Sequence, residues 1–140
     1  MFIPCIESID HIVVAVNNIN KSAEWYNTML GMSVQRFKTP SAPTQDRVAL
    51  IFGRQKINLH QREIEVFPVC KKPAQPGTAD FCLITKQPVS DFLQHWKHHA
   101  CELAVDTVVE RTGAVGTLLS VYVYDLDGNL IEVSNHHSAL

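Results

Sequence analysis

Between Ser8 and Val16 the chain reads SIDHIVVAV, a run of β-branched residues interrupted by a single histidine, His11, and this composition predicts a strand. Immediately after it the spacing changes: Ile19, Ala23, Tyr26 and Leu30 recur at helical intervals, which predicts an amphipathic helix. Asn20 is placed to cap that helix and Gly31 to end it in the left-handed region. Three short β-like runs follow. They are MSVQRF, then DRVALIF after a proline-containing loop, then KINLHQ after a turn at Gly53 to Gln55. The predicted order is therefore β, α, β, β, β.

Pro68 to Ala79 holds three prolines and a glycine and reads as an extended connector. Beyond it the order repeats. DFCLIT predicts a strand, PVSDFLQHWKHHA a helix, and ELAVDTVVE, TLLSVYVYD and NLIEVS three further strands. The apolar stripe of the second helix, Val89, Leu93, Trp96 and Ala100, equals Ile19, Ala23, Tyr26 and Leu30 plus 70 at all four positions. Such a duplication has a physical meaning: each half makes a sheet with one helix, and leaves a face that another half must cover.

With 140 residues and 46% hydrophobic content, the chain is long enough to bury a core as one domain. A net charge of -2 from 12 basic and 14 acidic residues gives no field to gather phosphates or anionic lipids, so neither nucleic acid nor membrane is an expected partner. The start, MFIPCIESID, lacks a basic stretch followed by an apolar one, and no run approaches the roughly 18 apolar residues of a spanning helix. A cytoplasmic protein is expected. Cys5, Cys70, Cys82 and Cys101 form no C-x-x-C pair, which excludes a zinc ribbon and predicts reduced thiols, mostly buried as small hydrophobes.

The chemistry concentrates near the C-terminus, in DLDGNLIEVS. Asp127-Gly128 favours a tight hairpin that fixes the register of the strand after it. In that apolar strand sits Glu132, and a carboxylate held there is costly unless a positive partner meets it. In the preceding strand Ser120, Tyr122 and Tyr124 alternate with Leu119, Val121 and Val123, which predicts one polar face.

DHIVVAV leading into SAEWYNTMLGM, then KINLH, and above all RTGAVGTLLSVYVYDLDGNLIEVS resemble the vicinal oxygen chelate superfamily, which holds glyoxalase I, extradiol catechol dioxygenases and fosfomycin-modifying enzymes. The likeness covers nearly the whole chain and within the superfamily is nearest to the group called glyoxalase domain-containing protein 5. It implies an α+β fold of two βαβββ modules, at about 5–66 and about 80–135 with a linker at about 67–79, curled into a cup-shaped mixed sheet. It further implies one divalent metal ion (Fe, Mn, Ni, Zn or Mg) in the cup. The matching ligand positions are His11 and Glu132. A third falls on Asp80 if the strand sets the register and on Phe81 if the 70-residue helix offset does. His60 lies near a further ligand position, with Asn58 its alternative on the same face. The resulting set is His11, His60 and Glu132, with Asp80 as the substitute. Leu126 departs from the family's usual proline.

By the same resemblance Glu132 and Tyr122 are candidate catalytic residues, and Tyr122, Ser120 and Arg111 candidate substrate contacts, with Arg47 a further candidate for an anionic group. His95, His98, His99, His136 and His137 are expected on solvated surfaces. The implied function is a divalent-metal-dependent enzyme of the glyoxalase or extradiol dioxygenase type, lyase or dioxygenase, acting on a small substrate with vicinal oxygens. The alternative is a metal-free small-molecule binding or resistance protein, its cup lined by Trp25, Trp96 and the tyrosines, with Phe81 rather than Asp80 facing the cavity. A homodimer is expected in either case.

Overall fold

A computed structural model describes residues 3–40, 42–62 and 68–137. The expected boundary between first module and linker, near 66 and 67, lies outside the described residues. The first module runs β1 (His11–Val16), α1 (Ile19–Leu30), β2 (Ser33–Thr39), β3 (Ala42–Phe52) and β4 (Gln55–Gln61). The second runs β5 (Asp80–Ile84), α2 (Val89–His98), β6 (Leu103–Gly113), β7 (Gly116–Tyr124) and β8 (Leu130–His136). Both sheets are mixed and share one topology, β1-β4-β3-β2 and β5-β8-β7-β6, with β1–β4 and β5–β8 the parallel pairs.

Local chemistry explains the element ends, with differences from the pattern at α1, at β3 and at α2, which stops at His98 and leaves Ala100 beyond it at φ 54°. Asn18, not Asn20, caps α1: it is extended, and its side-chain oxygen accepts from the Lys21 backbone N–H at 2.9 Å. Gly31 ends the helix in the left-handed region at φ 67° as expected. Strand β3 begins at Ala42 and includes Pro43, where a loop is predicted. At this end β3 pairs only with β2, across a register shift between Phe37 and Thr39, so the missing proline N–H has no central ladder to break.

The duplicated helices each cover one face of their own sheet, and one apolar cluster runs through both modules. Val14, Val16, Leu50, Ile57 and Leu59 meet Tyr26 and Ala23 in the first, while Val121, Val123, Ile131 and Val133 meet Val89, Leu93 and Trp96 in the second. Trp25 and Trp96 belong to this cluster, Trp96 fully buried with its indole N–H on the Met29 carbonyl at 2.9 Å. Neither therefore lines a cup. The thiols depart from expectation in the other direction: Cys5, Cys70 and Cys82 are exposed and Cys101 half-buried, all four free. Strand alternation accounts for Cys82, which points away from the helix-covered face.

Two contacts lock the modules together. The helices meet where His95 Nε2 donates to the Thr28 carbonyl at 2.8 Å, beside the Trp96–Met29 bond. On the far side the turn between β7 and β8 reaches the start of α1. Asp127 accepts from the Asn17 backbone at 3.1 Å and side-chain amide at 2.7 Å, and Tyr26 donates to buried Asp125 at 2.7 Å. Asn129 ties the same turn to the linker, accepting from the Gly77 and Ala79 N–H groups at 3.0 Å each. Among the described residues no helix is long and apolar enough to cross a membrane.

Candidate functional site

Helix coverage of one face of each sheet leaves the other face to the alternate residues of every strand. On the second module this face carries Cys82, Glu132 and Tyr122 in one cross-strand row, with Ser134 opposite Ser120 in the next. The predicted polar face of β7 is thus in place, and Glu132 stands at its centre.

Both serine hydroxyls point at Glu132 Oε2, Ser120 Oγ at 2.6 Å and Ser134 Oγ at 3.2 Å, and they lie 2.7 Å from each other. Both serines are fully buried, so these hydroxyls replace water for the carboxylate. Tyr122, opposite Glu132, accepts from Arg111 Nε at 3.1 Å, and the guanidinium carbon lies 5.5 Å from the ring centroid. Burial raises the Tyr122 pKa, the Arg111 hydrogen bond offsets part of that rise, and the Glu132 charge adds to it. The phenol is therefore a proton donor at neutral pH. Burial likewise raises the Cys82 thiol, whose Sγ is 3.3 Å from Ser134 Oγ.

The first module presents a different set. His11 opens β1 and is exposed, with Nδ1 2.8 Å from Asp10 Oδ2. A carboxylate on Nδ1 leaves Nε2 without a partner in this contact, the orientation usual for histidines that bind metals. His60 is half-buried and occupied: Arg47 Nη2 donates to its Nε2 at 3.2 Å, and burial, then the Arg47 charge, lowers its pKa. Between them lies Asn58, whose buried Oδ1 has no hydrogen-bond partner.

The two parallel ladders define equivalent positions. His11 opposite Lys56 heads one and Asp80 opposite Leu130 heads the other; two residues on come Asn58 and Glu132, and four on come His60 and Ser134. Asp80 is thus the counterpart of His11, and Asn58 that of Glu132. Phe81 packs against the core cluster, while Asp80 and Cys82 alternate to the Glu132 side. By ladder register Asp80 matches His11, while Phe81 and Cys82 are the β5 residues that line the hollow beside His11. Cys82 was not anticipated as part of the face; the spacing from Asp80 along one strand is the signal that identifies it.

The sheets approach each other at β1 and β5, where His11 and Cys82 line one hollow of about 200 Å³. That hollow reaches the cross-strand neighbour of Glu132, not Glu132 itself. Among the described residues no three His, Cys, Asp or Glu side chains converge as a metal site within one chain. The individual donors nevertheless suit a divalent cation: one imidazole with a carboxylate behind it, two carboxylates, and an amide oxygen lacking a donor. Each module therefore presents two of these donors, His11 and Asn58 on the first and Asp80 and Glu132 on the second.

Comparison with known proteins bears on this arrangement. A family model described as the Glyoxalase/Bleomycin resistance protein/Dioxygenase superfamily matches residues 8–133. The chain is 44% identical over 131 residues to virulence protein STM3117 of Salmonella typhimurium, covering 94% of this chain and 85% of that one. The crystal structure of that protein superposes with a TM-score of 0.85 over 96% of this chain and 100% of that one. Glyoxalase domain-containing protein RDO1 of Mycosarcoma maydis is 42% identical over 134 residues, 96% of this chain and 71% of that protein. Lactoylglutathione lyase from Agrobacterium tumefaciens shares the fold at a TM-score of 0.66, with 18% identity over 93% of this chain and 94% of that one.

Proposed function

The chain belongs to the Glyoxalase/Bleomycin resistance protein/Dioxygenase superfamily, and on that premise we propose that it is a divalent-cation-dependent enzyme acting on a small substrate with two vicinal oxygens. Its ligand positions are His11 and Asn58 on one module and Asp80 and Glu132 on the other, with His60 two residues beyond Asn58 on the same face. Two copies of the chain complete the set, each first module meeting the partner's second. The observation that carries this reading is Asn58 Oδ1, a buried acceptor without a donor at the ladder position equivalent to Glu132. An unsatisfied buried oxygen costs about 1–3 kcal/mol, and a cation bound against it removes that cost.

Charge supports the pairing. Arg47, Lys56 and His60 alternate with Asn58 onto the face of the first module, while Asp80 and Glu132 lie on that of the second. Opposite signs favour a reciprocal, two-fold contact in which the first module of each copy meets the second module of the other. A bound divalent cation supplies Lewis-acid polarisation of two adjacent substrate oxygens. Glu132, held by Ser120 and Ser134, accepts and returns the substrate proton, and Tyr122 donates to a substrate oxygen from a hydroxyl positioned by Arg111. The lyase branch is favoured, because a carboxylate base is in place and β5 carries no histidine.

A second reading rests on Arg47 beside His60 and on the two hydroxyls already satisfying Glu132: the same face binds an organic ligand without metal. Phe81, which lines the hollow between β1 and β5 where Asp80 does not, is also what this reading expects. Elemental analysis after anaerobic reconstitution separates the two. The metal reading expects about one ion per chain in the wild type and loss in both His11→Ala and Glu132→Gln; equal content in all three removes it.

A further inference from the structure

Beyond the ladder positions, β1 and β4 and the start of the linker enclose a cavity of about 490 Å³, a volume in the range of small-molecule sites. Its wall is mostly apolar, from Val13, Ala15, Pro68, Val69 and Ala74. The polar lining comes from His60, Gln61, Arg62 and Cys70, and among the described residues no lining residue is acidic.

Arg47 stands directly behind His60, half-buried, with Nη2 3.2 Å from the imidazole Nε2. Among the described residues no carboxylate lies within ion-pair distance of it; the ion pairs formed are His11–Asp10 and Lys38–Asp46. A guanidinium has no lone pair to offer, so Nε2 must be the acceptor in this contact, and the neutral ring keeps its proton on Nδ1. Arg47 and His60 thus form a donor chain that ends on an imidazole N–H in the cavity lining, with the Arg62 side chain as a second cation there.

We propose that this cavity binds a small organic monoanion, an aryl or alkyl carboxylate whose apolar body lies along Val13, Ala15 and Val69 and whose carboxylate meets the His60 and Arg62 end. The assignment rests on reading the uncovered face of the first module as part of the substrate site, and it names the substrate class: a carboxylate carried on an apolar body.

Titration of the full-length protein with benzoate, phenylacetate and 4-phenylbutyrate, each beside its neutral primary amide, tests this by backbone amide NMR. Shifts are expected at Val13, Ala15 and Val69, with the acids binding at least about tenfold tighter than the amides. Arg47→Gln and, separately, Arg62→Gln should each shrink that ratio, while Val13→Phe should weaken acid and amide alike by filling the cavity. Equal affinity of acids and amides in the wild type, or shifts that map elsewhere, would overturn the proposal. The titrations are repeated after chelation, with metal content measured on the same samples. Acid binding that survives in metal-free protein is expected; its loss there would assign the carboxylate to the cation and also overturn the proposal. Absence of metal alongside retained acid binding would sink the metal reading and leave the cavity assignment standing.

Discussion

Tyr26 of the first helix donates a 2.7 Å hydrogen bond to Asp125 at the end of β7, joining two residues 99 positions apart across the boundary between the modules. Asp125 is itself buried and anchors the turn before β8, its other oxygen accepting from the Asp127 and Asn129 N–H groups at 2.9 Å. Burial, reinforced by the Asp125 charge, raises the Tyr26 pKa far above the ordinary phenol value, so the hydroxyl stays protonated and the bond persists. Tyr26→Phe removes this bond from a buried carboxylate, and urea unfolding should show a loss of about 1–3 kcal/mol. Unchanged stability would mean that the bond does not hold the modules together.

Gly77 makes a separate demand on the same turn. It sits at φ +86°, and a Cβ there would lie 2.7 Å from the Asp127 carbonyl oxygen. Neither backbone nor linker can give way without opening the Asn129 bonds to Gly77 and Ala79. Gly77→Ala should therefore lower the unfolding free energy by about 1–3 kcal/mol. Gly31→Ala, at φ +67° with open space around the added carbon, should cost only about 1 kcal/mol. Equal costs would contradict the close approach.

How much of this was legible in the chain depends on the distance over which each feature is set. The helix stripes and the Asp127-Gly128 turn are local, and they appear where the apolar spacing and the dipeptide place them, except that α2 ends at His98 and Ala100, expected on its stripe, lies beyond it, exposed at φ 54°. The polar face of β7 follows from strict alternation. The cap at Asn18 rather than Asn20 differs because either asparagine satisfies the local chemistry and the strand end decides which is extended. Cys82, expected to be buried, is exposed because burial is fixed by the sheet face, which depends on register with a strand about 50 residues away, whereas Trp96 is buried as its helix stripe expects and so does not line a cup. The choice between Asp80 and Phe81 is of the same kind: counting from the helices is off by one, and one residue reverses a strand's faces.

His60 provides a pH signature. Its folded pKa is lowered, by burial first and the Arg47 charge second, from an ordinary value of 6.5. In the unfolded chain the ring binds a proton at higher pH than in the folded one, so stability should be complete above about 6.5 and fall as pH drops below it. His60→Gln should flatten that part of the pH–stability curve in metal-free protein. A wild-type curve rising as pH drops through this window would reverse the sign and refute the assignment.

Tyr122 is expected to act on substrate and not on the cation. Tyr122→Phe should lower turnover about 100-fold while metal content stays at the wild-type level, since the phenol is a donor held by Arg111. Loss of metal together with activity would place Tyr122 among the ligands instead.

The central claim is that His11 of one copy and Glu132 of another serve the same site. His11→Ala and Glu132→Gln proteins, each unable to retain metal alone, are mixed under exchange conditions and analysed for bound metal against the same total protein. A shared site predicts that mixing restores metal to about one quarter of the wild-type content, because half the dimers are mixed and each mixed dimer holds one intact site. Metal absent from the mixture, as from either variant alone, would contradict the account.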